Sequence, residues 1–245
     1  MYKLYNGIVG SRECNKELKF FDQYTMDTQE NYIKNIVKYN DTLSYFESVT
    51  HKFNNFGHRC KNIDEVDLNN YILFIGCSNT LGLGNYVHDT YPYLISKKLN
   101  MDYYNLGLAG SGTDIHLHNL LVWTKTIQKP KFIVWQWTTD ARIACMKDNN
   151  FIYSAVPWVE NIEIRDMLVL TDTLGHFKIR RKLANEILKL CDIPIIQIDV
   201  YPNENAMHFD KLDYSRDMRH FGPKSHQNIT DCIYDYYLNK YSNAL

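Results

Sequence analysis

The hydrophobic pattern of the chain changes near residue 70. Before that point, polar and aromatic residues are mixed, no clear strand pattern is visible, and helical spacing occurs only around residues 32–45. After it, short continuous apolar runs alternate with stretches of helical periodicity. We therefore expect residues 1–70 to form an extension of helices and loops, packed on a main domain that spans residues 71–245.

Four apolar runs in the main domain have the length and the β-branched or aromatic content of buried strands. Helical periodicity, or a proline suited to a first helical turn, marks the segments that follow them. Residues 141–172 show no simple periodicity, and we interpret them as a long excursion near the mouth of a site. The predicted strands cover residues 71–75, 102–106, 131–137 and 194–200, and the predicted helices cover residues 86–99, 114–127, 173–190 and 223–237.

Alternation of strands and helices predicts a parallel sheet that is covered by helices on both faces. The carboxyl ends of parallel strands share one edge of the sheet. The loops that begin near residues 76, 107, 137 and 200 should therefore converge in space. Open α/β folds bind ligands at this edge, so these four loops are where we look for chemistry.

The turn after the first predicted strand places a serine at that edge. Gly76 permits a sharp turn, and Ser78 follows it closely, where backbone N–H groups of the turn can surround it. A serine in this position is a candidate nucleophile. Turns of this kind also bind phosphates or simply connect two elements, although this one has neither the lysine of a P-loop nor a Gly-x-Gly-x-x-Gly pattern.

The other three loops bring further polar groups to the edge. The second contains Gly110, whose backbone N–H can face the same point as Ser78. In the fourth, Asp217 and His220 are three residues apart, which lets the carboxylate reach Nδ1 and leaves Nε2 as a base. The same spacing also occurs where a hydrogen bond only stabilises a loop. Acyl transfer needs a nucleophile, a base, an orienting acid and oxyanion donors. The third loop contributes Gln136, Thr138, Asp140 and Arg142.

Three segments, in this order, resemble the first, second and last sequence blocks of the SGNH (GDSL-like) hydrolase family. They are Ile75-Gly-Cys-Ser-Asn-Thr-Leu-Gly82, Asn105-Leu-Gly-Leu-Ala-Gly110 and Asp217-Met-Arg-His-Phe-Gly-Pro223, and the resemblance covers about residues 54–237. A Gly-aromatic-Arg segment that ends at Arg59 also resembles one often seen before the first block. The resemblance implies a three-layer α/β/α, flavodoxin-like fold with about five parallel strands.

The resemblance also implies roles for individual residues. By similarity, Ser78 would be the nucleophile, His220 the base and Asp217 its orienting partner. The backbone N–H groups of Ser78 and Gly110 would line the oxyanion hole. The implied activity is that of a serine esterase, and the substrate we expect is a short acyl group on a carbohydrate or other small polar alcohol. No metal or organic cofactor is implied.

Two positions depart from the family pattern. Cys77 stands where the family usually has Asp, which raises the question of a thiol nucleophile, although the residue before the nucleophile should point away from the site. Thr138 stands at the position of the third block's oxyanion-donating Asn, and loss of one such donor costs about 10²–10³ in rate. Either Thr138, Gln136 or Arg142 compensates, or the chain is a catalytically weak or inactive protein with a binding or structural role. Asn79, Gln136 and Arg142 are candidate substrate-binding residues.

Composition narrows the classes of function. A formal net charge of -1 argues against a general binder of nucleic acid or of anionic membranes. The 6 cysteines include no Cys-x-x-Cys pair, so no zinc or redox motif is visible. The N-terminus has no signal-peptide pattern, and no apolar run approaches the roughly 20 residues that span a bilayer. We therefore expect a cytoplasmic protein with reduced thiols.

Three further features have ordinary interpretations. His116 and His118 are two apart on a predicted helix and face different ways, so solvent or capping roles are expected rather than a metal pair. His226 is expected to point to solvent or to pack on the preceding loop. The basic run at residues 178–182 is expected to be a solvated helix face.

Overall fold

The structure of the protein is a computed structural model, and it describes residues 2–19, 33, 37, 49–140, 142–147, 150–155, 175–200, 206–217 and 219–241. The strands are β1 (Tyr2–Tyr5), β2 (Ile8–Ser11), β3 (Glu17–Lys19), β4 (Thr50–Lys52), β5 (Tyr71–Ile75), β6 (Asp102–Asn105), β7 (Phe132–Gln136), β8 (Arg142–Lys147), β9 (Asn150–Ala155), β10 (Ile195–Asp199) and β11 (Met207–His208). The helices are α1 (Ser78–Leu81), α2 (Tyr91–Lys98), α3 (Thr113–Thr126), α4 (His176–Leu190) and α5 (Pro223–Tyr241). None of the helices so described combines the length and the apolar character needed to cross a bilayer.

Five strands form a parallel sheet in the order β11-β10-β7-β5-β6. If the five strands are renumbered 1 to 5 in chain order, their order across the sheet, read from the β6 edge, is 2-1-3-4-5. This is the flavodoxin-like arrangement. The predicted α/β fold with five parallel strands is confirmed. The fifth strand, β11, contains only two residues, so no hydrophobic pattern in the sequence could mark it.

Helices cover both faces of this sheet and complete three layers. On one face, Leu73 of β5 packs in a cluster with Trp123 of α3 and Leu188 of α4. On the other, Phe74 packs in a cluster with Ile233 of α5 and with residues of α2. Because successive side chains of a strand point to opposite faces, a strand buried on both reads as a continuous apolar run. All residues of β5 and β7 are buried, as that pattern predicts.

The predicted helix at residues 86–99 is divided in the structure. A short 3₁₀ helix at Val87–Asp89 precedes α2, which begins at Tyr91. Pro92 explains the division, because proline lacks a backbone N–H and fits only the first turn of an α-helix. The helix that directly follows β5 is instead the single turn α1.

The expectation that residues 1–70 contain helices and loops without strands is wrong for the described part. β1 and β2 form an antiparallel hairpin, and β3 pairs with β4. The hairpin turn is Asn6-Gly7, with φ of 50° and 85°, and an Asn-Gly turn with both φ angles positive is a strong hairpin signal. The sequence therefore contained this information, but the absence of a long alternating run obscured it.

Two expectations fall largely on residues that are not described. The predicted helix around residues 32–45 lies outside the described residues except for Ile33 and Val37, which are both helical. The last part of the predicted excursion, from residue 156 onwards, also lies outside them. The boundary at residue 70 between an extension and a main domain stays a prediction.

The first part of the excursion is a hairpin, β8–β9, rather than irregular structure. It joins the N-terminal hairpin in a second sheet of order β2-β1-β9-β8. Asn119 of α3 anchors this sheet, because its Oδ1 accepts from the N–H of Val9 at 2.7 Å and its Nδ2 donates to the Val9 carbonyl at 2.9 Å. The N-terminal strands are thereby fixed to the helix that covers the central sheet.

Candidate active site

Ser78 is the first residue of α1, immediately beyond the carboxyl end of β5. The turn before it has no room for a side chain: a Cβ on Gly76 would lie 2.0 Å from Oγ1 of Thr80 and 2.7 Å from Cβ of Gln136. Glycine therefore lets the chain turn sharply enough for a helix to begin three residues after the strand ends. Ser78 is 5% exposed, at the edge of the sheet where the four loops meet.

The hydroxyl of Ser78 contacts an imidazole from the other end of the chain. Oγ of Ser78 lies 2.8 Å from Nε2 of His220, although 142 positions separate the two residues. Nδ1 of the same ring is hydrogen-bonded to Oδ2 of Asp217. The other oxygen of Asp217 accepts from the N–H of His220 at 2.9 Å and from Oγ of Ser215 at 2.7 Å. The structure thus brings together the three residues singled out in the sequence, with the carboxylate held in place on both oxygens.

The electrostatics of Asp217 suit an orienting carboxylate. Burial raises the pKa of Asp217, but the hydrogen bonds and charge of His220, together with the bond from Ser215, hold that pKa well below its ordinary value. An ionised carboxylate favours the tautomer that carries its proton on Nδ1. Nε2 of His220 then presents its lone pair to the hydroxyl of Ser78.

Two buried side chains hold the loops around Ser78 and His220 in place. The sequence did not predict that either side chain has this structural role. Asn105 joins the first and second loops, because its Nδ2 donates to the Thr80 carbonyl and its Oδ1 accepts from the N–H of Gly107, both at 2.8 Å. Arg59 donates from Nη1 to the carbonyl of Gly82 at 2.6 Å, where α1 ends. Motif resemblance marked the Arg59 segment, but its capping role depends on contacts distant in sequence.

Gly110, the predicted oxyanion donor of the second loop, lies in a turn that packs on the first loop. Its φ is 76°, in the left-handed region that glycine adopts without strain. The turn is anchored on both sides: the N–H of Leu108 donates to the Gly76 carbonyl at 3.1 Å, and the N–H of Ser111 donates to the Leu108 carbonyl at 3.2 Å. The oxyanion role of Gly110 stays a prediction.

Thr138 lies buried beyond the end of β7. Its Oγ1 accepts a hydrogen bond from Nη1 of Arg142 at 2.9 Å. Since a hydroxyl has one proton and accepts through its lone pairs, this bond leaves the Thr138 proton for another acceptor. The acceptor beside it is the sulfur of Cys77.

The expectation that Cys77 points away from the site is wrong. Its sulfur lies 3.9 Å from Oγ of Ser78 and 3.5 Å from Nε2 of Gln136. Cys77 joins β5 to α1, and its side chain extends toward the end of the neighbouring strand β7. Burial raises the pKa of the Cys77 thiol, but the positive charge of Arg142 and hydrogen bonds to the sulfur outweigh burial, and the pKa falls below its ordinary value.

The candidate substrate-binding residues differ in how much surface they offer. Gln136 is 1% exposed, and its Oε1 accepts a hydrogen bond from Oγ1 of Thr80 at 2.5 Å. It therefore supports the turn that carries Ser78 from the buried side. Asn79 is half-buried, and its Oδ1 accepts from the N–H of Phe221 at 3.3 Å. Arg142 is half-buried beside Thr138. A direct contact of any of these three with a substrate stays a prediction.

The expected solvent or capping role of His116 and the expected solvent position of His226 are both wrong, because each imidazole lies on the buried face of its helix. Nε2 of His116 lies 2.7 Å from Oγ of Ser111, and Nδ1 of His226 accepts from the N–H of Tyr91 at 3.2 Å. Burial above all, with nearby arginines, lowers the pKa of each to about 3. Within the described ranges, no three His, Cys, Asp or Glu side chains are grouped so as to hold a metal ion.

The basic run at residues 178–182 is not wholly a solvated face. Arg181 forms an ion pair with Asp140 at 3.3 Å, and its guanidinium lies 4.7 Å from the ring centroid of Trp137. Asp140, one of the polar residues of the third loop, is therefore engaged by α4. This contact joins α4 to the loop that carries Thr138.

Comparison with known families gives a match without a function. Residues 47–153 match the model of a family described as a domain of unknown function, DUF6473. A comparison with curated proteins finds no match.

The fold is similar to solved structures at low sequence identity. An acetyl xylan esterase from the rumen bacterium Butyrivibrio proteoclasticus is 16% identical with a TM-score of 0.40, over 70% of this chain and 64% of that one. A family two carbohydrate esterase from Clostridium thermocellum, in complex with cellohexaose, is 12% identical with a TM-score of 0.42, over 71% and 65%. A member of the lipolytic protein G-D-S-L family from Veillonella parvula is 12% identical with a TM-score of 0.37, over 70% and 98%.

The similarity therefore spans slightly less than two thirds of the length of the two carbohydrate esterases. At these identities it says nothing about activity or substrate. The sheet order and the loop positions define the class as a flavodoxin-like α/β protein, and its sequence blocks resemble those of SGNH-like hydrolases.

Proposed function

We propose that the protein is a serine esterase that uses Ser78, His220 and Asp217. The observation that carries the proposal is the 2.8 Å contact between Oγ of Ser78 and Nε2 of His220, with Asp217 bonded to the opposite nitrogen of the ring. Ser78 attacks the ester carbonyl while His220 takes its proton and then passes it to the leaving alkoxide. Water activated by the same imidazole hydrolyses the acyl-enzyme and restores Ser78.

The negative charge that develops on the carbonyl oxygen requires hydrogen-bond donors. We assign this role to the backbone N–H groups of Ser78 and Gly110 and to the hydroxyl of Thr138. The bond from Arg142 to Oγ1 of Thr138 supports the third assignment, because it leaves the hydroxyl proton available.

A second Ser–His contact helps to explain why Ser78 is favoured. Ser111 lies 2.7 Å from Nε2 of His116, but Nδ1 of His116 has no hydrogen-bond partner among the described residues. No carboxylate therefore orients that ring, and Oγ of Ser111 already donates to the Leu108 carbonyl at 2.8 Å. Of these two Ser–His contacts, the one between Ser78 and His220 has an orienting carboxylate.

The substrate we propose is a short acyl group on a carbohydrate or other small polar alcohol. The resemblance in the sequence blocks supports this class, and the sequence has no long apolar segment suited to forming a lipid cleft. Asn79 and Arg142 are half-buried polar side chains on the loops of the proposed site, and we propose that they contact such an alcohol.

A catalytically weak or inactive binding protein is the second candidate. One observation favours it: Thr138 stands where the resembling family has an amide donor. A decayed site has no need to keep its base and orienting acid, whereas here His220 contacts the serine and Asp217 contacts His220. We therefore give the esterase precedence.

A fluorophosphonate probe tests the proposal directly. Wild type should be labelled, mass spectrometry should locate the adduct on Ser78 rather than on Ser111, and Ser78→Ala should not be labelled. Hydrolysis of p-nitrophenyl acetate should fall in acid, because a general base must be unprotonated to accept the proton of Ser78, with circular dichroism recorded at each pH to show that the fold persists. Equal labelling of both proteins, or of neither, would count against the esterase. A panel of acetylated sugars and short-chain esters would then define the substrate.

A further inference from the structure

Arg142 begins β8, and its side chain reaches back to two of the loops at the sheet edge. Nη1 donates to Oγ1 of Thr138 at 2.9 Å and to the carbonyl of Ser111 at 3.4 Å. Thr138 follows β7, whereas Ser111 directly follows Gly110 in the loop after β6. One guanidinium therefore connects the two loops that carry the proposed oxyanion donors Gly110 and Thr138.

The charge of Arg142 is not paired with any carboxylate in the part of the chain that the structure describes. No Asp or Glu oxygen of those residues lies within ion-pair distance of it, and its buried Nε–H has no hydrogen-bond partner among them. The neighbouring cations differ, since Arg180 is paired with Asp114 at 3.1 Å and Arg181 with Asp140 at 3.3 Å. A half-buried guanidinium without a counter-charge is well suited to stabilise negative charge that forms only during a reaction.

The field of this charge already acts on the turn that carries Ser78. Burial raises the pKa of Cys77, yet the charge of Arg142 is the main cause of its fall below the ordinary value. Burial lowers the pKa of His116, and Arg142 is the next cause. Cys77 lies in the turn before Ser78, and His116 lies on α3 and contacts Ser111 of the second loop. The charge of Arg142 therefore acts on groups next to two of the loops that form the proposed oxyanion hole.

The hydrogen bond from Arg142 also makes the hydroxyl of Thr138 a stronger hydrogen-bond donor. A neutral hydroxyl that accepts from a guanidinium is polarised, and its own proton becomes a better donor. The acceptor beside that proton is the sulfur of Cys77, which accepts hydrogen bonds only weakly. An alkoxide oxygen formed next to Ser78 would be a far stronger acceptor for the same proton.

We propose that Arg142 is the positioning residue of the oxyanion hole: it holds the hydroxyl of Thr138 ready to donate, and its uncompensated charge stabilises the oxyanion formed when Ser78 attacks. Arg142 and Thr138 together replace the amide that this site lacks. The inference rests on the proposed esterase function and adds a residue through which the third oxyanion donor works.

Three substitutions separate charge from geometry. Arg142→Ala removes both, Arg142→Gln keeps hydrogen-bond donors without the charge, and Arg142→Lys keeps the charge without the planar fork that bonds Thr138 and Ser111. With p-nitrophenyl acetate, Arg142→Ala should lower kcat by about 10²-fold, the effect of losing one oxyanion donor, with little change in KM. Arg142→Lys should retain more activity than Arg142→Gln.

Two further measurements distinguish this role from a merely structural one. Millimolar guanidinium should partly restore kcat in Arg142→Ala, because the small cation can occupy the vacated space. In a Thr138→Val background, Arg142→Ala should lower kcat less than it does in wild type, because the part of its effect that acts through Thr138 is already lost and only the contribution of the charge remains. Arg180→Gln is the matched control: it removes a half-buried guanidinium that is already neutralised by Asp114, and its kcat should stay near wild type.

The outcomes separate this inference from the proposed function. If wild type is active and Arg142→Ala and Arg142→Gln keep wild-type kcat, the esterase stands and the inference fails. An equal loss in Arg180→Gln, or a loss in Arg142→Ala that is additive with Thr138→Val and not rescued, also overturns it. If Arg142→Ala does not fold, Arg142→Lys and Arg142→Gln decide, and equal kcat in those two variants contradicts the role of charge. Absence of Ser78-dependent turnover in wild type refutes the proposed function and this inference with it.

Discussion

The backbone N–H of Phe221 donates a hydrogen bond to Oδ1 of Asn79 across 3.3 Å. Each of these residues directly follows a member of the proposed catalytic pair, Ser78 and His220. The contact therefore joins the helix that begins with the nucleophile to the loop that carries the base. It gives Asn79, which the sequence suggested as a substrate contact, a defined part in setting the distance between serine and imidazole.

Asn79→Ala should therefore reduce kcat strongly while reducing the free energy of unfolding only slightly. Loss of one hydrogen bond should reduce the free energy of unfolding by about 1 kcal/mol, whereas small misplacements of catalytic groups can reduce rates up to about 10²-fold. Asn79→Asp keeps an acceptor for the N–H of Phe221 and should retain most of the activity. Turnover of p-nitrophenyl acetate and urea denaturation of the same samples measure the two effects. A fully active Asn79→Ala would show that the contact does not position the base.

Asp217→Asn should be the most damaging of the near-isosteric changes. The amide keeps the shape of the side chain but can favour the wrong tautomer of His220, and the equivalent change in a serine protease triad reduces kcat about 10⁴-fold. The measurement is kcat together with the rate of fluorophosphonate labelling, which should fall in parallel because both need the same base. A loss of less than about tenfold would mean that Asp217 serves the loop rather than the chemistry.

The thiol of Cys77 should be dispensable as a nucleophile. Its sulfur contacts Gln136 and the hydroxyl of Ser78, and within the described structure it has no contact with the imidazole of His220. Cys77→Ala should keep its fluorophosphonate labelling and lose no more than about tenfold in kcat, because the change removes packing and weak sulfur contacts but no member of the proposed triad. Ser78→Ala, which retains the thiol, should lose turnover. The opposite result for the two variants would identify Cys77 as the attacking group.

Much of the fold and the core of the site could be predicted from local pattern. The apolar run of β5, the glycine turn before Ser78 and the Asp-x-x-His spacing are all short-range features, and each fixes backbone or side-chain geometry within a few residues. The parallel sheet then brings distant loops to one edge by a general rule. That rule placed Ser78 and His220 near each other without any long-range contact being known.

The rest depends on contacts between distant segments. No spacing in the sequence relates Asn105 to the Thr80 carbonyl, or Arg142 to the Ser111 carbonyl. These hydrogen bonds can be seen only in the three-dimensional structure. Helical periodicity marks buried positions by their apolar residues, so it does not predict the burial of His116 and His226, whose imidazoles find hydrogen-bond partners inside the protein. By contrast, the Asn6-Gly7 turn was a local signal that could have been recognised.

The N-terminal hairpin gives a test of the fold itself. Gly7 has a φ of 85°, and a Cβ there would lie 3.3 Å from Cγ1 of Val122 on α3. Gly7→Ala should reduce the free energy of unfolding by about 1–2 kcal/mol from the left-handed conformation, and by more where the methyl group crowds Val122. Gly175→Ala is the matched control, because its φ is 71° with no atom within 4 Å of the added Cβ. Urea denaturation of both variants should show the larger loss for Gly7→Ala; equal losses would indicate that a methyl group at residue 7 does not crowd Val122.

Buried neutral histidines should make the protein sensitive to acid, and His58 gives the clearest case. Its Nδ1 lies 3.1 Å from the Tyr104 hydroxyl and its Nε2 lies 3.1 Å from the Val9 carbonyl. Burial lowers the pKa of His58 from 6.5 to about 4. Since the unfolded chain binds the proton first, stability from this residue is complete above pH 6.5 and is lost as the pH falls toward 4.

Between these limits His58 should contribute a slope of about 1.4 kcal/mol per pH unit to the free energy of unfolding, and about 3 kcal/mol in all. His58→Gln can keep a donor for the Val9 carbonyl but cannot be protonated. It should therefore be less stable than wild type near neutral pH, and its stability should fall less steeply with acid. Urea denaturation at intervals from pH 7 to pH 4 measures both slopes. Parallel curves for the two proteins would show that His58 does not remain neutral in the fold, because a group with the same pKa in both states contributes no slope.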